Sequence, residues 1–455
     1  MKLVTFRSDK GDCLLLHSAD GASMLVDGGM SSSYTEHVAP YLDRMRRNGE
    51  SLDVVCVSHI DQDHIQGVLR MANDLVDWRV HDFQHANGNT AFKKPKSKRP
   101  PEVGRFWHNA FHEQIGDNAG QIADMLAAEA AVLSGHPSQG VREHALSLQG
   151  VALGEADAIR LSRRIGDRQL NIPLNPEYDQ GLMFHATPAE PISVGSMDAF
   201  VIGPFEDDLK DLRDEWNDWL RTHQKFLEGV RESAKKTEDQ LGNTDEVPAL
   251  QTLMESQAID LASAQRLADQ INLATASGTL GKRYKVSTPN LASLMLLVEE
   301  NGRTVLLTGD GHCDDIADGL DLAGLLRDDG SLHVDVLKVA HHGSEHNTSE
   351  AFCRKITADI YIFCGNGAHH NPDLRVVSAY IDSRLGTAAE LSPNTEVGNN
   401  FRLVFNNHPD NPELSSAEAD HMAEVHELVT DRAADSSGQM QAVFLDRSYH
   451  TITMT

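Results

Sequence analysis

The densest chemistry lies in VVCVSHIDQDHIQG, where an apolar strand ending at Ser58 is followed by His59, Asp61, Asp63 and His64. A strand end running into a tight loop lets all four heads converge. Imidazole with carboxylate suits borderline and hard cations such as Zn²⁺, Mn²⁺ or Fe and requires no soft thiolate. A second apolar strand, in TVLLTGDGH, ends in Gly309 and Asp310. A third, in VDVLKVAHHGSEHNTSE, delivers His341, His342 and Gly343 with Ser344 behind them. Each alone has a plain explanation: solvated loop histidines, a Gly-Asp turn, or hydrogen-bonded core histidines. Three buried strands ending this way do not, because buried polar groups are costly unless bonded to something. The pattern predicts a metal site at one edge of a sheet. Its chemistry would be hydrolysis, in which a bound water loses a proton near neutral pH and attacks while the metal offsets charge developing on oxygen.

The elements that must hold these residues follow from periodicity. Strands are expected at 13–17, 24–26 and 54–58, with a helix at 34–47. The stretch 86–101 (ANGNTAFKKPKSKRPP) is polar and basic, hence a loop. Helical spacing follows over about 106–165 and again over about 208–270, and strands return at 198–202, 293–298, 304–308, 334–339 and 360–363. An acidic, Ser/Ala-rich segment at 408–440 leads into strands at 441–445 and 450–454. This predicts an α/β chain: 1–85 the first half of a core, 86–195 a basic loop and helical insertion, 196–204 a core strand, 205–285 a second helical insertion, 286–400 the second half of the core, and 401–455 C-terminal strands with the acidic segment.

At 455 residues, with 40 Lys and Arg against 68 Asp and Glu, the formal net charge is −28. Such a field opposes diffuse binding to nucleic acid or anionic membranes. Five scattered cysteines without CxxC spacing suit a reducing compartment, not a disulfide framework. No signal peptide and no long apolar run is present, so a cytoplasmic protein that does not engage a membrane is expected.

The sequence resembles the metallo-β-lactamase superfamily, and within it the hydrolase-like domain of the ComEC family of DNA-internalisation competence proteins. The resemblance rests on KGDCLLLH, MLVDGG, HIDQDH with Gly67 after it, NLASLMLLVEENGRTVLLTGD, VLKVAHHGS and FCGNGAHHNPD. It implies an αββα sandwich carrying two helical insertions, and one or two divalent ions, Zn²⁺ or Mn²⁺. By matching position, His59, Asp61, Asp63 and His64 align with the HxHxDH ligands, Asp310 with the bridging aspartate and His341 with the last histidine ligand. Asp63 then belongs to the catalytic set as well. Asp27 matches the aspartate that supports the ligand loop. His342 and Ser344 then face the substrate, and His342, His369 or His370 would protonate the leaving group; either member of each histidine pair can point inward. The pattern departs from the family in two places. Asp61 replaces a second histidine, making that position harder and more anionic. The middle histidine, expected in STPNLAS, is missing, and Asn290, Ser293 or, more remotely, His185 is left to fill the gap.

The basic run Lys93, Lys94, Lys96, Lys98 and Arg99 reads either as a phosphate-tracking arm beside the site or as a solvated loop. His108 and His112 are spaced to share a helix face. The leading expectation is a metal-dependent phosphodiesterase acting as a nuclease. Its alternatives are a hydrolase of a small phosphoester, lactone or thioester, and a non-catalytic metal-binding scaffold or sensor in a multi-protein system. The expected partners are nucleic acid or a small phosphoester, with a protein partner or second copy bound through the helical insertions.

Overall fold

Period-two alternation in the apolar strands builds two sheets. The first has the order β14-β1-β2-β3-β4-β5: β1 (Lys2–Phe6), β2 (Leu14–His17), β3 (Ser23–Val26), β4 (Leu52–Val57), β5 (Val103–His108) and β14 (Tyr449–Thr453). The second runs β13-β12-β11-β10-β9-β8-β7-β6: β6 (Ile192–Val194), β7 (Met197–Gly203), β8 (Met295–Glu300), β9 (Arg303–Leu307), β10 (Leu332–Lys338), β11 (Ile356–Phe363), β12 (Phe401–Phe405) and β13 (Met440–Phe444). The structure is a computed structural model that describes residues 1–109, 157–158, 160–207, 209–210, 290, 292–394 and 397–454. The chain divides into two units, Met1–Asn109 with Arg160–Glu206 and Leu280–Thr455, and Ala110–Ile159 with Asp207–Thr279. Most of the second, with the bulk of both expected helical insertions, lies outside the described residues.

Successive side chains of a strand point to opposite faces. Leu14, Leu16, Met24, Val26, Val54 and Cys56 of the first sheet therefore share one core with Leu296, Val298, Val305, Leu307 and Val336 of the second. Outside the first sheet lie α1 (Ser31–Ser33), a π turn (Tyr34–Val38), α2 (Ala39–Arg47) and α3 (Gln62–Ala86). On the outer face of the second lie α4 (Cys313–Leu322), α5 (Glu350–Lys355), α6 (Leu374–Leu385) and α7 (Ser416–Asp435). There Ile316, Leu320, Tyr380 and Val425 pack on Leu306, Leu337, Tyr361 and Phe363. The layers run helix, sheet, sheet, helix, which is the expected αββα sandwich. All five cysteines are buried and free. Among the described residues no helix is long and apolar enough to cross a membrane.

Two local expectations fail. The stretch after Ser58 is not simply a loop: α3 begins at Gln62, so Asp63 and His64 ride its first turn. His108 ends β5, paired with β4, and does not lie on a helix; His112 lies outside the described residues. The acidic segment forms α7, opened by a capping box between Ser415 and Glu418. Within 401–455, β12 and β13 extend the second sheet and β14 borders β1.

Pairing directions decide where side chains collect. β3 and β4 run parallel, as do β9, β10 and β11. Within each sheet the carboxyl ends of these strands therefore share one edge, where open α/β sheets bind ligands. β2 runs antiparallel to β3, so Asp12, just ahead of β2, comes to the edge where β3 ends.

Candidate metal centre

From the first sheet, β3 leads into Asp27 and β4 into Ser58 and His59. Asp27 Oδ1 accepts the Ser58 amide at 2.7 Å; its Oδ2 accepts Ser58 Oγ at 2.7 Å and His64 Nδ1 at 2.9 Å. His64 is thereby turned so that Nε2 points away from Asp27, the carboxylate–imidazole arrangement that orients a metal ligand. Asp61 is the N-cap residue of α3, and the positive end of that helix favours the Asp61 and Asp63 carboxylates. The first turn of α3 is seated by glycines. A Cβ on Gly67 would lie 1.9 Å from Gly28 O, and the Gly67 amide donates to Gly29 O at 2.9 Å.

From the second sheet, β9 ends before Thr308, Gly309 and Asp310. Gly309 has φ +49°, and a Cβ there would press on Ser293 and Ser58 at 3.0 and 3.1 Å. The Asp310 amide donates to Ser293 Oγ at 3.1 Å, so Ser293 positions the aspartate. Asn290 is buried, and its Oδ1 has no hydrogen-bond partner. After β10, His341 (φ 45°) and His342 (φ 56°) both occupy the left-handed region, local strain of a kind that clusters at functional sites. His341 Nδ1 donates to Asn347 Oδ1 at 2.7 Å, and Asn347 Nδ2 donates to Asp310 O at 2.8 Å. His342 Nδ1 donates to Cys364 O at 2.7 Å.

Asp310 is the hub. Its Oδ2 lies 3.6 Å from His59 Nε2, 3.6 Å from His341 Nε2 and 3.4 Å from His342 Nε2; its Oδ1 lies 3.4 Å from His64 Nε2. Asp61 Oδ2 is 3.7 Å from His59 Nε2, and Asp63 Oδ2 is 3.3 Å from His342 Nε2. Donors around an ion bound at 2.0–2.1 Å stand about 3.3 Å apart in a tetrahedral shell, so these spacings suit ligands better than hydrogen bonds. His59 Nε2, Asp61 Oδ1, His64 Nε2 and Asp310 Oδ1 are buried without a hydrogen-bond partner, an uncommon and costly state. Two sets, His59–His64–Asp310 and Asp310–His341–His342, each bring their donor atoms within 4.8 Å of one another. These residues fit one or two divalent ions with Asp310 shared.

The electrostatics agree. Burial alone would push the His64 and His342 imidazoles down, but Asp310 and neighbouring carboxylates outweigh it and hold both well above the usual range. Burial would raise Asp310, yet the four facing histidines drive it well below the carboxylate range. Asp63 is likewise lowered against its burial, by its hydrogen bond to His342 and by the charge of His64. Such carboxylates demand cations.

The remaining expected residues are placed as follows. His342 is 5% exposed and its Nε2 sits between Asp63 and Asp310. His341, with a side chain 28% exposed, is the more open of the two. Ser344 is buried and caps its own turn, its Oγ accepting the His346 amide. His369 and His370 are exposed on the turn Ala368–His370, and the His370 ring meets His421 edge-on. His185 Nδ1 donates to Val201 O. The basic run is not beside the centre. Lys94 and Arg99 stack on Trp78, and Arg99 pairs with Asp82 at 2.7 Å. Trp78 lies fourteen residues beyond His64, about 21 Å along α3.

Two other clusters are weaker. His312 Nδ1 accepts the Asp314 amide as the cap of α4, and burial pushes the adjacent Cys313 thiol up to about 12. Glu413, near Glu36 and His37, is already paired with Arg7. Sequence reasoning missed Asp12, Lys338 and Asn347. Lys338 did carry a signal, a lysine set in the apolar run VLKVA that leads into His341.

Residues 8–142 match the family described as the metallo-beta-lactamase superfamily. No curated protein matches the chain. Nothing in the match singles out the competence family. The superfamily consists mostly of metal-dependent hydrolases that bind divalent ions. Strand-end geometry and family match thus meet in one conclusion: the chain has the metallo-β-lactamase fold and carries a metallo-beta-lactamase superfamily domain at residues 8–142.

Proposed function

We propose that this protein is a metal-dependent hydrolase of phosphoesters, taking two divalent ions around Asp310. The observation that carries this reading is the convergence of unpartnered buried donors on one carboxylate. Divalent ions in such a site supply Lewis acidity and a nucleophile drawn from water near neutral pH. His59, Asp61, His64 and Asp310 would hold one ion; Asp63, Asp310, His341 and His342 the other. Asp27 and Ser58 keep the His64 ring aligned. His341 keeps its proton on Nδ1 through Asn347, which leaves Nε2 unprotonated toward Asp310, as a metal ligand requires. The carboxylate-rich donor set supports Mn²⁺ as well as Zn²⁺.

A small phosphoester is better supported as substrate than a nucleic acid. The basic run, the track a nuclease would need, sits at the far end of α3, and the net charge of −28 repels a polyanion. The test is hydrolysis of bis-p-nitrophenyl phosphate and p-nitrophenyl phosphate by metal-loaded protein, with linear DNA in parallel. Metal-dependent turnover of a small ester without DNA cleavage is expected. An undiminished rate after exhaustive chelation would overturn the reading.

A further inference from the structure

Lys338 ends β10 with a side chain only 2% exposed. Burying an ammonium is strongly unfavourable unless it is paired and hydrogen-bonded. Its Nζ donates to Gly309 O at 2.8 Å, forms a close ion pair with Asp12 and stands 3.5 Å from Asp310 Oδ1. Asp12 in turn lies 3.3 Å from His342 Nδ1. One side chain thus touches the backbone that carries Asp310, the Asp310 carboxylate, and the carboxylate that backs His342. Asp310 is divided accordingly: three imidazoles surround Oδ2, while Lys338 and His64 take Oδ1.

The charge count gives this placement a consequence. Among the described residues, Asp12, Asp27, Asp61, Asp63 and Asp310 bring five carboxylates to the centre against one buried ammonium, that of Lys338, which leaves four negative charges with neutral histidines. Lys10, whose charge Asp63 also feels, is partly exposed and solvated.

We propose that Lys338 is the resident counter-cation of the centre, a positioning residue that neutralises Asp12 and one face of Asp310 so that the remaining charge matches two divalent ions. This rests on the metal-centre reading above. Asp12→Asn leaves three negative charges, Lys338→Met leaves five, and the double variant restores four while removing both members of the pair.

The test is calorimetric titration of Mn²⁺ into the exhaustively chelated full chain, with folding checked by circular dichroism. Asp12→Asn is expected to bind the second ion at least about tenfold more weakly than wild type, and Lys338→Met at least about tenfold more tightly. The double variant is expected to return to within about threefold of wild type. If Lys338→Met does not fold, Asp12→Asn and the double variant still decide the matter. A purely structural pair would make the double variant no better than Asp12→Asn, and that result overturns the proposal. A wild type that binds no Mn²⁺ removes the metal-centre reading and this inference with it. Two ions in wild type without the charge order remove this inference alone.

Discussion

The two ends of α3 carry similar densities of charge and behave oppositely. At the first turn, Asp61, Asp63 and His64 crowd against Asp310 and His342, with donors left unpartnered beneath the surface. At the last turns, Asp82 pairs with Arg99, Lys94 and Arg99 lie on Trp78, and Phe83 is 66% exposed. The Asp82–Arg99 pair is solvated and needs nothing further, and buried Trp78 Nε1 is a single neutral donor, whereas the first turn gathers several buried carboxylate and imidazole atoms without partners. The difference locates function by desolvation, not by charge density.

The comparison breaks most visibly at Asp310. Asp310→Ala removes both shared oxygens, and metal-dependent hydrolysis should fall on the order of 10³-fold; steady-state kinetics at saturating Mn²⁺ would show it. Asp27→Asn keeps an acceptor for the Ser58 amide but sets an amide against His64 Nδ1. A loss of about 10- to 100-fold in metal affinity is expected by calorimetry. Glycines sharpen the contrast between the helix ends. Gly67→Ala drives a methyl into Gly28 O and should cost about 1–3 kcal/mol. Gly88→Ala, with open space around it and φ +86°, should cost only about 1 kcal/mol of backbone strain. Equal losses in urea unfolding would contradict the tight seating of the first turn.

Asp373 supplies the opposite case, a largely buried carboxylate without a ring of imidazoles. Burial pushes it up to about 6. Its folded form therefore favours the proton, so ionisation carries a cost that is absent below the unfolded value of 3.8, grows between pH 4 and 6, and is complete above 6. Asp373→Asn should gain stability over wild type across that window, about 1–2 kcal/mol at pH 7 after allowance for partial exposure. A difference that does not change with pH would count against it. The smallest effect belongs to the far end of α3. Replacing Lys93, Lys94, Lys96 and Lys98 with Gln should leave kcat/KM for bis-p-nitrophenyl phosphate within about twofold. A tenfold fall would break the comparison.

The strand-end residues could be read from sequence because polar side chains closing an apolar run are conspicuous. The αββα layering came instead with the resemblance carried by KGDCLLLH, HIDQDH and VLKVAHHGS, since periodicity by itself predicts only apolar strands joined by helical segments. The course of α3 was missed although Ile65, Val68, Leu69, Ala72 and Leu75 recur at helical spacing, because the metal-ligand types ahead of them look like a loop. The α7 capping box was equally present, in Ser415 and Glu418, and was hidden by acidic composition. His108 could not have been assigned locally, since its strand exists through pairing with β4. The choice between His341 and His342 depends on two left-handed backbone positions that sequence does not encode. Asp12 and Lys338 are joined only because β2 and β10, distant in sequence, both reach the site.

Metal content after purification and reconstitution, measured for wild type beside an Asp63→Ala, His64→Ala double variant, tests the central claim most directly. Two divalent ions per chain are expected in wild type, and in the double variant loss of bound metal together with hydrolysis. Wild type that takes up no divalent ion, or a double variant that keeps both ions and full hydrolysis, would contradict it.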